Sequence, residues 1–314
     1  MSDINHLTAL RGTLRRDVPM KEHVSWRAGG VARQAYVPVD LDDLAAFLKT
    51  LPRNEEIHFI GLGSNTLVRD GGLDGTVVLV QGALSAMRLM ESGALYAEVG
   101  VASPKLARFA TSEGLAGAEW LAGVPGTIGG ALAMNAGCYG SETWEFVTRA
   151  HTVARDGSVR ARTRDEFDIG YRHCALRDSR VVLGRDAWFV AAEFSFSKGD
   201  VSDARARMKG WLDRRAATQP LNLPNAGSVF RNPLNDFAAR LIESCGLKGH
   251  RIGGAEVSAK HANFIVNPGE TASAADIEAL IAEVQATVLR ECGVQLEREV
   301  RIIGRAASPP RTST

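Results

Sequence analysis

The sequence predicts an α+β fold in more than one part. Its first 196 residues mix many short strand patterns with few helices, which is typical of that class. The composition shifts near Ser197, and a second α+β unit of roughly ninety residues follows, large enough to hold its own core. A length of 314 residues leaves room for two or three domains.

The elements of the first part follow from local patterns. A helix begins after Asp40, which caps it. A second helix is capped by Ser103, has a proline at its first position and ends near Gly114. The pair Asp156-Gly157 predicts the turn of a hairpin. Strand patterns are predicted at 34–39, 57–60, 76–80, 94–100 and 187–196.

The second part contains three helical patterns and two strands. A polar helix covers 200–220 and closes on Pro220, a helix that starts at residue 238 ends at Gly246, and a long one over 273–293 ends at Gly293. The strands are predicted at 262–267 and 294–304.

Composition and charge favour an enzyme that acts on a small molecule. Lys+Arg 37 against Asp+Glu 36 leaves a net charge of +1, so no global field attracts nucleic acid or a membrane. The charged N-terminus is not a secretory signal, and no apolar run reaches the ~18 residues of a membrane span. We therefore expect a cytoplasmic protein without nucleic-acid or membrane partners. Its oligomeric state stays open, with a monomer favoured.

The cysteines suggest free thiols. Cys138, Cys174, Cys245 and Cys292 are far apart in the chain and form no C-x-x-C pair. Neither a zinc site nor a disulfide framework is indicated, and no other metal site is predicted.

Two glycine-rich loops, GLGSN (61–65) and GVPGTIGG (123–130), stand out. The first follows a strand but fails the dinucleotide fingerprint G-x-G-x-x-G, because Thr66 occupies the third glycine position and no helix follows. Clustered backbone N–H groups of such loops bind phosphate oxygens. The alternative is that these glycines serve tight turns and close strand crossings.

Six motifs together resemble one enzyme family. GLGSNTLVRDGGLDG, EWLAGVPGTIGGALAMNAGCYG, YRHCALR, NAGSVFRNP, IGGAEVSAKHANFIVN and LEREVRIIG are similar, in this order, to the UDP-N-acetylenolpyruvoylglucosamine reductases. The similarity runs from about residue 26 to residue 304. It implies NADPH-dependent reduction of the enolpyruvyl ether of UDP-N-acetylglucosamine enolpyruvate to UDP-N-acetylmuramate, through non-covalent FAD, for bacterial peptidoglycan synthesis.

The resemblance also implies an architecture. It is the two-part FAD-binding domain of the vanillyl-alcohol-oxidase type, followed by a smaller α+β substrate-binding domain. We place the first domain at 20–200, with its two subdomains split near 80–85, and the second at 201–305. A disordered tail is predicted at 306–314.

Three catalytic residues are implied by the same resemblance. Arg172 would polarise the substrate carboxylate, and Ser228 would donate the proton to the α-carbon. Glu297 would assist Arg172 in protonated form, which requires a raised pKa. Glu297 and Glu299 are expected on one face of a strand.

Further residues are implied at the cofactor and the substrate. The cofactor set comprises both glycine loops and an arginine at the flavin pyrimidine end: Gly61, Gly63, Ser64, Asn65, Gly123, Pro125, Gly126, Thr127, Gly129, Gly130 and Arg215. The substrate set comprises Asn232, Lys260, His261 and Tyr171.

The chain departs from the family pattern in places. Cys174 stands where serine is frequent and Arg298 where proline is frequent, and a tyrosine-bearing loop is missing, as in the shorter type II form. Two rival functions stay open. One is another FAD oxidase or dehydrogenase on this fold, with flavin attached through Cys138; the other is a non-catalytic flavin or nucleotide-sugar sensor.

Overall fold

The computed structural model describes residues 10–307, so most of the predicted tail lies outside the described residues. The helices are α1 Leu41–Thr50, α2 Ser103–Ser112, α3 Ile128–Ala133, α4 Thr143–Phe146, α5 Val201–Thr218, α6 Ala238–Ser244 and α7 Ala274–Cys292. Strands β1–β10 are Thr13–Pro19, Val31–Val37, Ile57–Ile60, Thr66–Val68, Leu73–Leu79, Met87–Leu89, Leu95–Glu98, Leu115–Ala116, Gly137–Cys138 and Ser141–Glu142. Strands β11–β20 are Val147–Ala154, Val159–Thr163, Phe167–Gly170, His173–Leu176, Ala187–Phe194, Ser197–Lys198, Arg251–Ile252, Ala255–Val257, Ile265–Val266 and Arg301–Ile303.

Two sheets form the first part of the chain. One has the strand order β1-β2-β5-β3, with β2, β5 and β3 parallel. The other is antiparallel, in the order β12-β11-β15-β7-β6. The larger apolar core takes side chains from both sheets, and a smaller core is built mainly from the first sheet. The chain passes from one sheet to the other between residues 79 and 87.

The C-terminal part is a three-stranded sheet, β17-β18-β19, packed with α6 and α7. Its core also takes in Trp26 and Leu67 from the first part of the chain. The buried Trp26 indole donates a hydrogen bond to the Ile265 carbonyl over 2.7 Å, and Asn267 donates to the Trp26 carbonyl over 3.0 Å. These contacts fix the C-terminal part against the first sheet.

The last strand leaves the C-terminal part altogether. β20 pairs in parallel with β4, with Arg301 opposite Thr66. The β4 strand directly follows the first glycine-rich loop. Residues at the end of the chain are therefore carried to the place where that loop lies.

Most predicted elements are confirmed. The α+β class is correct, the helix after Asp40 begins where that carboxylate accepts from the Asp43 N–H, and Asp156-Gly157 lies between the paired strands β11 and β12. Gly293 ends α7 in a left-handed conformation, with φ of 69°.

Three details of the prediction are wrong. Ser103 is the first residue of α2 and not its cap, and its buried hydroxyl has no hydrogen-bond partner among the described residues. The strands predicted at 262–267 and 294–304 shrink to Ile265–Val266 and Arg301–Ile303. Residues 293–300 contain no regular strand, only an isolated bridge at Arg298, on their way from the end of α7 to β20.

Among residues 10–307, no helix combines the length and the apolar character that crossing a membrane requires.

The junction between the parts yields a first prediction. Asp70 accepts hydrogen bonds from the Ala274 and Ala275 N–H groups, both at 2.9 Å, and so caps α7 from a segment two hundred residues away. Asp70→Ala should lower the free energy of unfolding by about 0.5–2 kcal/mol, through loss of these bonds at the helix N-terminus.

Urea denaturation of Asp70→Ala, Asp70→Asn and the unmodified protein measures this effect. Asp70→Asn keeps one side-chain acceptor and should lose less. Equal midpoints for all three proteins would contradict the assignment.

Candidate active site

A single cleft of about 470 Å³ brings the two glycine-rich loops together. The Ser64 hydroxyl donates to the Pro125 carbonyl over 3.1 Å and joins one loop to the other. All eleven residues predicted to bind the cofactor line this cleft, Arg215 included. Arg172 and Ser228 line it as well.

Glycine is required in the two loops for two different physical reasons. Gly126 has a φ of 109°, and a Cβ there would lie 2.6 Å from the Ser64 hydroxyl. A Cβ at Gly61 would overlap the Thr127 side chain. At Gly130, by contrast, a Cβ would meet nothing within 4 Å, although the residue lines the cleft. Close approach within the protein thus explains most of these glycines, and Gly130 leaves open space.

Arg172 is presented by a tight hairpin. It lies in the turn between β13 and β14 with a φ of 52°, a left-handed conformation that costs a non-glycine residue of order 1 kcal/mol or more. Its guanidinium donates to the Asn135 and Gly137 carbonyls over 3.4 and 3.2 Å and to Glu299 over 2.7 Å. The remaining guanidinium N–H groups have no partner among residues 10–307 and can bind a ligand.

The carboxylate beside Arg172 belongs to Glu299, and the expectation of Glu297 there is wrong. Glu299 Oε1 accepts from Arg172 Nε, and its side chain is 16% exposed. Glu297 is 74% exposed and lies 3.6 Å from Arg231 outside the cleft lining. Backbone pairing of residues 297–299 with residues 229–231 places Glu299 beside Arg172 and leaves Glu297 at the surface.

Burial sets the protonation of Glu299. Its removal from water raises the pKa above the ordinary glutamate value, and the positive charge of Arg172 works against this without cancelling it. Glu299 therefore keeps its proton to higher pH than an exposed glutamate.

Ser228 is held next to Glu299 by the backbone. The Glu299 N–H donates to the Val229 carbonyl over 2.8 Å, and the Arg231 N–H donates to the Glu297 carbonyl over 2.9 Å. The hydroxyl of Ser228 forms no hydrogen bond with any described residue, and it lines the cleft. It is therefore available to a ligand.

A buried asparagine, which the sequence analysis missed, fixes the segment after Ser228. The Asn263 side chain accepts from the Phe230 N–H over 3.0 Å and donates to the Phe230 carbonyl over 2.8 Å. The Asn263 carbonyl accepts from the Val229 N–H over 2.9 Å. The sequence signal for Asn263 is its place in the HANFIVN stretch of one of the six motifs.

Positive charge dominates the cleft. The ionisable groups of Arg172, Arg215 and Arg301 line it, with the carboxyl of Glu299 as the acidic counterpart. Burial lowers the pKa of Arg215 and of Arg301 from the usual arginine value, and neither forms an ion pair with a described residue. Such a cleft fits an anionic ligand. Arg301 was missed because it reads as one charge within a short strand.

The four residues predicted to contact substrate do not line the cleft. Lys260 donates to the Ala216 carbonyl over 2.6 Å, and Asn232 accepts from the Ala238 N–H over 3.1 Å, so both have structural contacts. Half-exposed Tyr171 lies under the Arg172 guanidinium, 4.9 Å from the ring centre. Burial lowers the pKa of His261, whose ring stacks edge-on against Phe264.

Two cysteines also line the cleft as protonated thiols. Burial raises the pKa of Cys138 to about 11 and that of Cys174 to about 12. Cys138 Sγ donates to the Trp120 carbonyl over 3.1 Å. A protonated, hydrogen-bonded thiol is a poor nucleophile, which disfavours covalent attachment of a cofactor through Cys138.

Known families cover both parts of the chain. Residues 32–162 match the FAD binding domain model, and residues 219–303 match the model of the UDP-N-acetylenolpyruvoylglucosamine reductase C-terminal domain. The protein of that name from Thiobacillus denitrificans is 54% identical over 308 residues, which is 94% of this chain and 93% of that protein. Its namesake from Legionella pneumophila (strain Lens) is 50% identical, over 97% of this chain and 96% of its own length.

A solved structure agrees with these matches. The crystal structure of UDP-N-acetylenolpyruvylglucosamine reductase from Thermus caldophilus aligns with a TM-score of 0.78 and 29% identity, covering 93% of this chain and 99% of that one. Proteins of one family thus match this chain in both of its parts. The chain belongs to the UDP-N-acetylenolpyruvoylglucosamine reductase family.

Proposed function

We propose that this chain reduces the enolpyruvyl ether of UDP-N-acetylglucosamine enolpyruvate to UDP-N-acetylmuramate, with NADPH as hydride donor and FAD as cofactor. The observation that carries the proposal is the meeting of Arg172, Glu299 and Ser228 at one cleft with both glycine-rich loops. A sensor would not need a buried, protonatable carboxyl next to a guanidinium and a free hydroxyl.

The residues present fit FAD. Backbone N–H groups of the glycine loops supply phosphate ligands, and the open space at Gly130 leaves room for a flat group. Arg215 and Arg301 supply the positive charge that a dianionic pyrophosphate or an electron-rich ring requires. FAD held by these residues would supply hydride-transfer chemistry between NADPH and the substrate double bond.

Arg172 and Glu299 act on the substrate carboxylate. Reduction of the enolpyruvyl group puts negative charge on the α-carbon and into the carboxylate, where a fixed cation stabilises it most. The free N–H groups of Arg172 bind that carboxylate, while protonated Glu299 donates a further hydrogen bond to it. The contacts of Arg172 with two backbone carbonyls hold its guanidinium in place before the substrate arrives.

Ser228 supplies the proton to the α-carbon. Its hydroxyl has no protein partner among residues 10–307 to compete with the substrate, and the clamp of Asn263 on Phe230 keeps its backbone fixed. The cations of the cleft stabilise the serine oxygen after it has given up the proton.

We also propose limits for the two domains and a cellular location for the protein. The FAD domain at 20–200, with its split near 80–85, is supported by the change of sheet between residues 79 and 87. The substrate domain at 201–305 is supported by the C-terminal core from residue 226 onwards, although α5 packs into the core of the first part and β20 pairs with β4. The cysteines of the described chain are free thiols, which supports a reducing, cytoplasmic location.

Removal of the Ser228 hydroxyl tests the proton donor. Ser228→Ala should leave reduction of the flavin by NADPH unchanged and slow its reoxidation by the enolpyruvyl substrate by about 10²–10⁴-fold. Stopped-flow absorbance of the flavin measures the two half-reactions separately. If both half-reactions keep their rates, Ser228 is not the donor.

The two glutamates provide a matched pair of variants. Glu299→Gln should slow the second half-reaction by about 10²-fold or more, since it removes a group placed on the developing charge, whereas Glu297→Gln should have little effect. If Glu297→Gln slowed the reaction more than Glu299→Gln, Glu297 would be the residue that assists Arg172.

The same pair tests the raised pKa of Glu299. In the unmodified enzyme and in Glu297→Gln, the second half-reaction should slow as the pH rises through that pKa, because the carboxyl loses the proton that it donates. Glu299→Gln cannot ionise and should lack this decline. A decline that persists in Glu299→Gln assigns the titration to another group.

Variants of two glycines distinguish loss of space for the cofactor from strain in the backbone. Gly130→Ala should leave the flavin-free protein as stable or about 0.5–1 kcal/mol more stable, since it lies within α3, yet weaken FAD binding by about 10–100-fold by filling the cleft. Gly126→Ala should instead destabilise the protein itself by about 1–3 kcal/mol, because of its backbone conformation. Thermal unfolding and quenching of flavin fluorescence report the two effects. Unchanged FAD affinity in Gly130→Ala would mean that the cofactor does not occupy that space.

A further inference from the structure

The fold brings together two cysteines that the sequence keeps far apart. Cys245 directly follows α6, and Cys292 is the last residue of α7, 47 positions later. Their sulfur atoms lie 3.6 Å apart, and the Ser244 hydroxyl lies 4.0 Å from Cys292 Sγ. Both side chains are partly accessible, at the edge of the core shared by α6 and α7.

We propose that Cys245 and Cys292 are a reversible disulfide site, which ties the end of α6 to the end of α7 when low-molecular-weight disulfides accumulate. A disulfide bond has a sulfur separation of about 2.05 Å, so the two sulfurs must approach by roughly 1.5 Å. Rotation of the two side chains about χ1 can supply such a movement, because Cys245 and Cys292 lie at helix ends and are only partly buried.

The surroundings of the pair disfavour Cys245 as the first attacking sulfur. Burial, the contact with Cys292 and the negative charge of Glu291 raise the pKa of the Cys245 thiol. Cys245 is therefore the poorer nucleophile at neutral pH, and we assign the first attack to Cys292.

The reaction is an ordinary thiol–disulfide exchange. The Cys292 thiolate attacks one sulfur of glutathione disulfide, which breaks that S–S bond and releases one glutathione thiolate. Cys245 then loses its proton to solvent and attacks the Cys292 sulfur of the mixed disulfide, releasing the second glutathione. The protein is oxidised by two electrons, and one glutathione disulfide is reduced to two thiols.

The other two cysteines are unsuited to this chemistry. Burial holds the pKa of Cys138 near 11 and that of Cys174 near 12, so both stay protonated at neutral pH. The site is thus selective for one pair out of four thiols.

The bond would join the end of α6 to the segment that leads to Glu299. The start of α6 is held by the Asn232 side chain, and the chain runs from the end of α7 through Gly293 to Glu299. A cross-link between the helix ends removes conformational freedom from the unfolded chain and stabilises the C-terminal part.

The test equilibrates the FAD-loaded protein with defined ratios of reduced and oxidised glutathione, followed by acid quenching. Thiols are counted by maleimide mass shift after unfolding, and unreduced peptides are mapped. We expect the loss of two thiols, one linked peptide containing Cys245 and Cys292, and full labelling of Cys138 and Cys174. Reduction with dithiothreitol should restore all four thiols.

Cysteine variants and the thermal stability of the oxidised and reduced protein complete the test. Cys245→Ser and Cys292→Ser should each give a glutathione adduct in place of the linked peptide, whereas Cys174→Ser should retain the link. The oxidised unmodified protein should unfold several degrees above its reduced form, and neither cysteine variant of the pair should show that shift. Mixed disulfides alone, links between two copies, or no loss of thiols from the unmodified protein would each overturn the proposal, whatever the variants do.

Discussion

The candidate site depends on the return of the chain's end to the first glycine-rich loop. Asn65, in that loop, donates its side-chain N–H to the Glu299 carbonyl over 3.1 Å and accepts through its own carbonyl from the Arg301 N–H over 3.0 Å. From there β20 continues in parallel pairing with β4. One asparagine therefore positions the carboxyl and a cation of the cleft relative to the loop that we assign to the cofactor. Neither half of the chain can form this site without the other.

Local chemistry explains what the sequence could predict. A carboxylate before α1 and a glycine at the end of α7 act through neighbours within four residues, so they can be recognised without the fold. The glycine-rich loops and Arg172 can be recognised for a related reason, since their motifs are contiguous. Arg172 and every residue of the two loops except Ile128 line the cleft.

Glu299 and Arg301 escaped prediction because long-range pairing decides their orientation. A period of two assigns Glu297 and Glu299 to one face only if residues 294–304 form a regular strand. They do not, since the segment comes from the end of α7, pairs with Phe230 through a bridge at Arg298, and then joins β4. The approach of Cys245 to Cys292 is of the same kind, because two helix ends meet only after α6 and α7 have packed.

The glycines and the arginines together define what the cleft selects. Contacts inside the protein demand most of the glycines, so the loops are fixed before any ligand binds, and little conformational freedom remains to be lost on binding. The guanidinium groups of half-buried Arg215 and exposed Arg301 line the cleft and find no carboxylate partner in residues 10–307. A ligand that carries phosphate or an electron-rich ring is attracted by these charges, whereas a neutral ligand of the same shape is not. Shape alone would admit many flat molecules, and the unpaired cations favour the anionic ones among them.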